Sequence, residues 1–394
     1  MYTKPIPLII HDLQDSQMFA LAQAAGRANM VLQALASSEQ SWLENSRYFS
    51  SYKILPSLGD VIESVYALSL KKSGVSGVWL PCVDDVAMFT AAFQDFLKSR
   101  GMLSLVAKVE SIEHADLSHL QDFQGFLNIP KTRWLSHAEL QGDAVKLSYP
   151  LILKSSRGNF QRFNDAKKLL THLDAAEHVS AFSQRIQQYI LGDVTNMATA
   201  MLLFDKNSQP VRGFTGRRLR VAQTKYGDFG ETTAAQAEWI PELYEGAVEL
   251  LKYLNWQGFA EVECKQATDG TWFVLEINPR LSGWTCLAEA DGAGFLQAYY
   301  AMCAHDMPLK ETCLQRSKAK YIRMLAAGFH KPDWFINQFV KNKRHSKLYW
   351  LIKDLYQLWR YKMTLSAGAW DFLDRQACKD LCINNIRKYF FRGS

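Results

Sequence analysis

Short apolar runs alternate with longer stretches of helical spacing over the first hundred residues. Residues 7–10 (PLII) predict a strand, 16–36 a helix, 52–55 (YKIL) a strand, and 59–72 a helix. A strand over 77–82 (GVWLPC), a helix over 84–98 and a strand over 103–107 complete the series. Strands that alternate with helices predict βαβ units and a parallel sheet covered on both faces. The stretch VWLPCVDD ends its strand on Asp84 and Asp85, at the edge where open α/β sheets bind ligands. The plainer reading of Asp84 is a helix N-cap.

Beyond residue 116 the rhythm changes. A helix over 117–127 leads through a connection to a second helix that ends near 140, and a strand over 150–154 ends on Lys154 before a Ser-Ser-Arg-Gly-Asn turn. A lysine at a strand end beside a polar turn can neutralise phosphate while backbone N–H groups cradle it. A helix over 164–174 and a strand over 185–190, stopped by Gly192, come next. Residues 195–205 and 210–221 predict two strands, the second carrying Arg218 and Arg220 on one face and Arg217 on the other. The loop 222–234 is polar with two glycines, as a substrate loop would be. Leu243, Ala247, Leu250, Leu251 and Leu254 then mark an amphipathic helix over 240–254, and residues 288–306 predict another helix with a glycine-rich entry.

Between those two helices lies GFAEVECKQATDGTWFVLEINPR, in which Asp269-Gly270 separates two alternating runs and predicts a β-hairpin. With those two residues as the loop, Glu263 opposes Glu276, Glu261 opposes Asn278 and Gln266 opposes Phe273. Three carboxylates and an amide then share one face. Ala260, Val262, Cys264, Leu275 and Ile277 share the other, which packs on a core. Like charges directly opposed across a ladder are destabilising, so the Glu263/Glu276 pair calls for a cation or a raised pKa. Hard oxygen donors without His or Cys suit Mg2+ held by carboxylates and substrate phosphates. An exposed, merely solvated polar face is the alternative.

Composition narrows the field without deciding it. The chain has 394 residues, 48% hydrophobic and 21% charged, which suits two or three globular domains. A formal charge of +6 fits a protein that handles anionic substrates and is too small to argue for nucleic acid. The seven cysteines, Cys82, Cys264, Cys286, Cys303, Cys313, Cys378 and Cys382, form no CxxC pair, and the odd count argues for a reducing compartment. The N-terminus is too weakly apolar for a signal peptide and no window is apolar enough to span a membrane, so a cytoplasmic protein is expected.

The hairpin EVECKQATDGTWFVLEINPR resembles the metal-binding hairpin of the ATP-grasp superfamily, with its acidic-hydrophobic-Asn-Pro-Arg ending. The resemblance implies Mg2+ (or Mn2+) held by Glu263, Glu276 and Asn278, and Arg280 facing the acyl-phosphate or its attacking partner. YPLILK is similar to the strand whose lysine reaches the nucleotide phosphate, which carries over to Lys154. RIQQYILGD is similar to the hinge that reads adenine through its backbone. That implies Tyr189 and Ile190 at the hinge, Gln188 as an adenine partner and Asp193 as a ribose acid. A basic residue facing the transferred phosphoryl group maps to Arg218, with Arg220 next. The sequence departs from the pattern near Ser118-His119, where the usual Asp-Lys is absent, and in the phosphate loop, where Gly158 is the one glycine and Arg157 adds charge.

By this resemblance the expected architecture is α/β plus α+β. Residues 1–115 form a parallel-sheet domain, 116–310 a two-part ATP-grasp unit (116–190 and 191–310), and 311–394 a helical C-terminal segment. The implied activity is ATP-dependent ligation of a small-molecule carboxylate to an amine through an acyl-phosphate. A carboxylase working through carboxyphosphate and a degenerate nucleotide-binding module are the alternatives. Residues 331–364 stand apart, with eight lysines and arginines against two aspartates, interleaved with aromatic residues. Docking of this segment on the enzyme is the first reading and a peripheral membrane contact the second. No nucleic-acid partner is expected.

Overall fold

The computed structural model describes residues 6–11, 21–22, 24–26, 28–36, 45–54, 76–154, 160–175, 183–221, 232–313, 315, 317 and 320–322. The turn 155–159, most of the loop 222–234, the helix expected over 59–72 and the segment 331–364 lie outside these residues.

The alternation of the first hundred residues produces a five-stranded sheet in the order β3-β2-β1-β4-β5. Its strands are β1 (Leu8–His11), β2 (Leu32–Ala36), β3 (Phe49–Ile54), β4 (Gly77–Leu80) and β5 (Met102–Leu103), and every neighbour is parallel. Residues 32–36, expected to finish a helix, are instead a strand. Helical backbone around residues 24–26 closes where Met30 N–H bonds Ala25 O at 3.0 Å and Asn29 takes a φ of 56°, a helix-ending geometry that asparagine tolerates. Leu32, Ala34 and Leu35 then bury in the sheet. The expected helix over 84–98 is two, α1 (Asp84–Ala92) and α2 (Gln94–Ser99), divided at Phe93.

A short α3 (Val109–His114) precedes residues 117–127, which form turns rather than the expected helix. Asp116 Oδ1 accepts from Ser118 N (2.8 Å) and Ser118 Oγ (2.6 Å), a local bond that competes with helix propagation.

The second sheet runs β6-β9-β7-β8, built from β6 (Thr132–Leu135), β7 (Leu151–Lys154), β8 (Phe160–Phe163) and β9 (Gln184–Gln188). Leu151, Leu153, Phe163 and Ile186 pack with Leu140 of α4 (His137–Asp143) and Leu169 and Leu173 of α5 (Ala166–Ala175). By alternation the opposite face carries Ile152, Lys154, Arg185 and Gln187.

The third sheet has six antiparallel strands in the order β14-β13-β10-β11-β12-β15. They are β10 (Met197–Phe204), β11 (Pro210–Val221), β12 (Thr232–Ala237), β13 (Gly258–Gln266), β14 (Trp272–Asn278) and β15 (Lys320–Ile322). On one face Ala200, Val262 and Cys264 bury against α6 (Pro241–Tyr253). On the other, Met201, Leu203 and Phe259 join one core with Leu8, Ile10 and Leu80 of the first sheet and with α7 (Thr285–Asp291) and α8 (Phe295–His305). Tyr299 fastens this junction, since its hydroxyl donates to Trp79 O (2.8 Å) and accepts from Leu105 N (3.2 Å).

Hairpin register is as expected from Glu261↔Asn278 to Glu263↔Glu276, and then slips. A bulge after Glu263 sets Cys264 opposite Val274 and Gln266 opposite Trp272 rather than Phe273. Val274 therefore fills the core at 0% exposure in place of Leu275, and the extra residue kinks the strand beside the site.

Candidate active site

One face of β13 organises the site. Lys265, Glu263 and Glu261 point the same way at two-residue intervals, over roughly 13 Å from Lys265 to Glu261. Each end of this row meets a different neighbour.

At one end Lys265 lies 4.9 Å from the Tyr189 ring centroid, and Arg162 of β8 lies 4.3 Å from the same ring. Tyr189 is thus a buried aromatic held between two cations from different sheets. Its N–H bonds Pro150 O at 3.3 Å, and Ile190 beside it is buried. Gln188 is engaged elsewhere: its side-chain carbonyl accepts from Lys131 N (3.3 Å). The glutamine on the Lys154 face is Gln187, 2% exposed, with Nε2 at 3.5 Å from Leu275 O and a buried Oε1 that meets no hydrogen-bond donor among the described residues. The resemblance points to its neighbour Gln188; alternation counted from Lys154 across to Arg185 places Gln187 on the Lys154 face. Asp193 caps the short 3-10 turn Val194–Asn196, accepting from Thr195 N (2.7 Å) and Thr195 Oγ1 (2.6 Å). These bonds hold its carboxyl below the usual range.

At the centre Lys154 reaches from the second sheet to the third. Its Nζ donates to Leu275 O (3.3 Å), the carbonyl at the bulge. Burial pushes its pKa down, against the pull of Glu276 and then Glu263. Arg185 stands directly opposite Lys154 in the ladder and is neutralised by Asp116 (Nη1–Oδ2 3.1 Å). Two basic side chains side by side are a combination chemically suited to an anionic group.

Glu263 and Glu276 face one another across the ladder, and Arg218 Nη2 meets Glu263 Oε2 at 2.6 Å. Arg217, as expected, goes to the opposite face, where it clamps Glu238 (Nε to both oxygens, 2.9 Å) and borders an open cavity of about 390 Å3. A bulge between Arg218 and Arg220 interrupts the alternation expected to align them. Asn278 is buried, and its Nδ2 donates to Glu261 Oε2 at 3.1 Å. Glu261 is 3% exposed, and burial raises its pKa, reinforced by Glu263 and opposed by Arg280.

At the far end Arg280 turns toward the first sheet. Its Nε lies 3.0 Å from Asp84 Oδ1 and its Nη1 3.7 Å from Glu261 Oε2. Asp84 is therefore not the N-cap, which is Val83, but the partner of the hairpin arginine. It sits just past β4, beside the point where strand order reverses between β1 and β4.

Among the described residues no three His, Cys, Asp or Glu side chains converge into a closed metal cage. What the hairpin supplies is an open half-site of two opposed carboxylates and an amide, all hard oxygen donors. That set fits Mg2+ or Mn2+ completed by phosphate oxygens and water.

A four-stranded antiparallel sheet and a six-stranded one, facing each other across a lysine and a carboxylate hairpin, constitute the ATP-grasp fold, here preceded by a parallel sheet. The L-amino acid ligase from Bacillus licheniformis superposes with a TM-score of 0.53 at 19% identity, covering 77% of this chain and 75% of that one. Biotin carboxylase from Campylobacter jejuni gives 0.59 at 12% identity, covering 80% and 74%. N5-carboxyaminoimidazole ribonucleotide synthetase, solved with ADP, gives 0.54 at 15%, covering 79% and 80%. No family model matches the sequence, and no curated protein matches it.

Proposed function

We propose that the protein is an ATP-dependent ligase that joins a small-molecule carboxylate to an amine. The observation that carries this reading is the convergence of Lys154, the opposed Glu263 and Glu276, and the arginines Arg218 and Arg280 along one face between two sheets. The Tyr189 end suits a nucleotide base and the Lys154 end its phosphates, leaving the Arg280 and Asp84 end for the carboxylate.

Mg2+, held by Glu263, Glu276 and Asn278, would supply neutralisation of phosphate charge. The chain's own groups account for the rest. Lys154 binds phosphate oxygens, and Gln187, Tyr189 and Ile190 line the base end. Arg218 and Arg280 approach the phosphoryl group and the carboxylate from opposite sides. A carboxylate oxygen attacks the γ-phosphorus, the bond from that phosphorus to the bridging oxygen breaks, and ADP leaves with its electron pair. The amine nitrogen then attacks the acyl carbon, phosphate departs, and the amine sheds a proton. Such chemistry needs positioning and charge compensation rather than a protein nucleophile.

Release of ADP and phosphate from Mg-ATP, screened against amino acids and small carboxylates with amine acceptors, tests the proposal. Turnover that requires one acid and one amine is expected. Turnover supported by bicarbonate alone would move the reading to a carboxylase, and ATP binding without turnover to a nucleotide-binding module. Neighbours of this fold include enzymes of both ligase and carboxylase type.

A further inference from the structure

Of the three hairpin carboxylates, the half-site uses two. Glu261 is the third, and at 3% exposure it is the most deeply buried acid of the site. A buried carboxylate is costly unless its oxygens are hydrogen-bonded or paired. Here Oε2 accepts from Asn278 Nδ2 at 3.1 Å and lies 3.7 Å from Arg280 Nη1. Oε1 lies 3.4 Å from the hydroxyl of Thr199, which stands equally far from Val262 O and can donate to one of them at a time.

The chemistry of this contact restricts Asn278. With its NH2 donating to Glu261 Oε2 at 3.1 Å, the planar amide of Asn278 turns its carbonyl oxygen away from Glu261. That oxygen is the atom of Asn278 able to ligate a hard cation. The same Glu261 oxygen faces Arg280 Nη1, while Asp84 holds Arg280 Nε. We infer that Glu261 is a positioning residue that fixes the amide of Asn278 with its oxygen free for the cation and steadies Arg280, while taking no part in ligation itself. This inference rests on the proposed Mg-ATP site.

Glu261→Gln separates orientation from packing. Glutamine has the same shape but donates as well as accepts, so it holds Asn278 in either orientation and compels neither. Mn2+ binding, followed by electron paramagnetic resonance with a non-hydrolysable ATP analogue, reads the consequence directly. Thermal midpoints on the same samples read the fold. The expected result is a Mn2+ affinity about 10- to 100-fold weaker, with a midpoint at or above wild type because a buried charge is gone. Glu261→Asp, still acceptor-only, is expected to retain more affinity than Glu261→Gln. Equal affinity in wild type and Glu261→Gln overturns the inference, as does a Gln variant that outperforms Asp. If Glu261→Gln does not fold, Glu261→Ala, which removes both carboxylate oxygens, takes its place, and an unchanged affinity there overturns the inference equally. Wild-type protein that binds no Mn2+ with nucleotide removes the metal site itself, and the inference with it.

Discussion

Arg280, just past the β13–β14 hairpin, is held by Asp84, which begins α1 beside the parallel sheet, at 3.0 Å between Nε and Oδ1. Burial works against the guanidinium charge, yet Asp84 and then Glu261 outweigh it and hold the pKa above its ordinary value. The orientation of this arginine therefore depends on a part of the chain outside the two antiparallel sheets. Asp84→Asn keeps the size and removes the charge. We expect kcat to fall about 10- to 100-fold, as for displacement of a positioned group, with the KM for ATP nearly unchanged. Stability should move by less than about 1 kcal/mol, since the Asp84 carboxylate is largely exposed. A rise in the KM for ATP with intact kcat would reassign Arg280 to the nucleotide.

Glu276 and Glu263 are directly opposed, and Arg218 forms its ion pair with Glu263. Glu276→Ala should abolish metal-dependent turnover, a loss larger than the roughly 10- to 100-fold that follows removal of an outer partner. Relief of the like-charge pair should leave the fold unharmed, within about 1 kcal/mol. Steady-state rates and urea unfolding of the same preparations check both halves. Retained turnover would remove Glu276 from the metal site.

Gly258 opens β13 at a φ of 73°, and a Cβ there would stand 2.2 Å from Leu105 O. Both the backbone conformation and the contact exclude a side chain. Gly258→Ala should destabilise the protein by more than about 1 kcal/mol. The chain carrying Leu105 follows β5 of the first sheet, so the loss also measures how tightly that sheet is docked to the hairpin. A thermal midpoint equal to wild type would contradict so close an approach of the two backbones.

Much of this site is legible in the sequence because period-two alternation is a strict rule. It pairs Glu263 with Glu276 and Glu261 with Asn278, and it sends Arg217 away from Arg218. What alternation cannot supply is the bulge after Glu263, which exchanges Leu275 for Val274 in the core and makes the Leu275 carbonyl a partner for Lys154. Contacts between sheets are equally hidden. Asp84 reads as a capping residue until the parallel sheet is docked against the hairpin. The burial of Glu261, which distinguishes it from the two less buried acids, arises from the neighbouring strand and from Arg280. The helix expected over 117–127 fails for a local reason, the Asp116 to Ser118 bonds, a competition that apolar spacing does not register.

Lys154 offers a test that depends on pH. Its pKa is lowered, first by burial, with Glu276 pulling the other way. The folded protein thus releases this proton at a lower pH than the unfolded chain does. Below the folded pKa the protonated lysine costs stability; that cost fades as pH rises from the folded toward the unfolded value and is gone above it. Nucleotide affinity follows the opposite course, because phosphate binding needs the ammonium. ATP affinity should therefore decline as pH rises at values below the usual lysine pKa of about 10.4. Lys154→Arg, which stays charged, should lack this inflection, whereas Lys154→Ala should bind ATP roughly 10- to 100-fold more weakly at neutral pH, the equivalent of one charge-assisted hydrogen bond. Calorimetric titration of the three proteins with ATP across this range checks the assignment, and a wild-type profile that persists in Lys154→Arg would show that another group governs it.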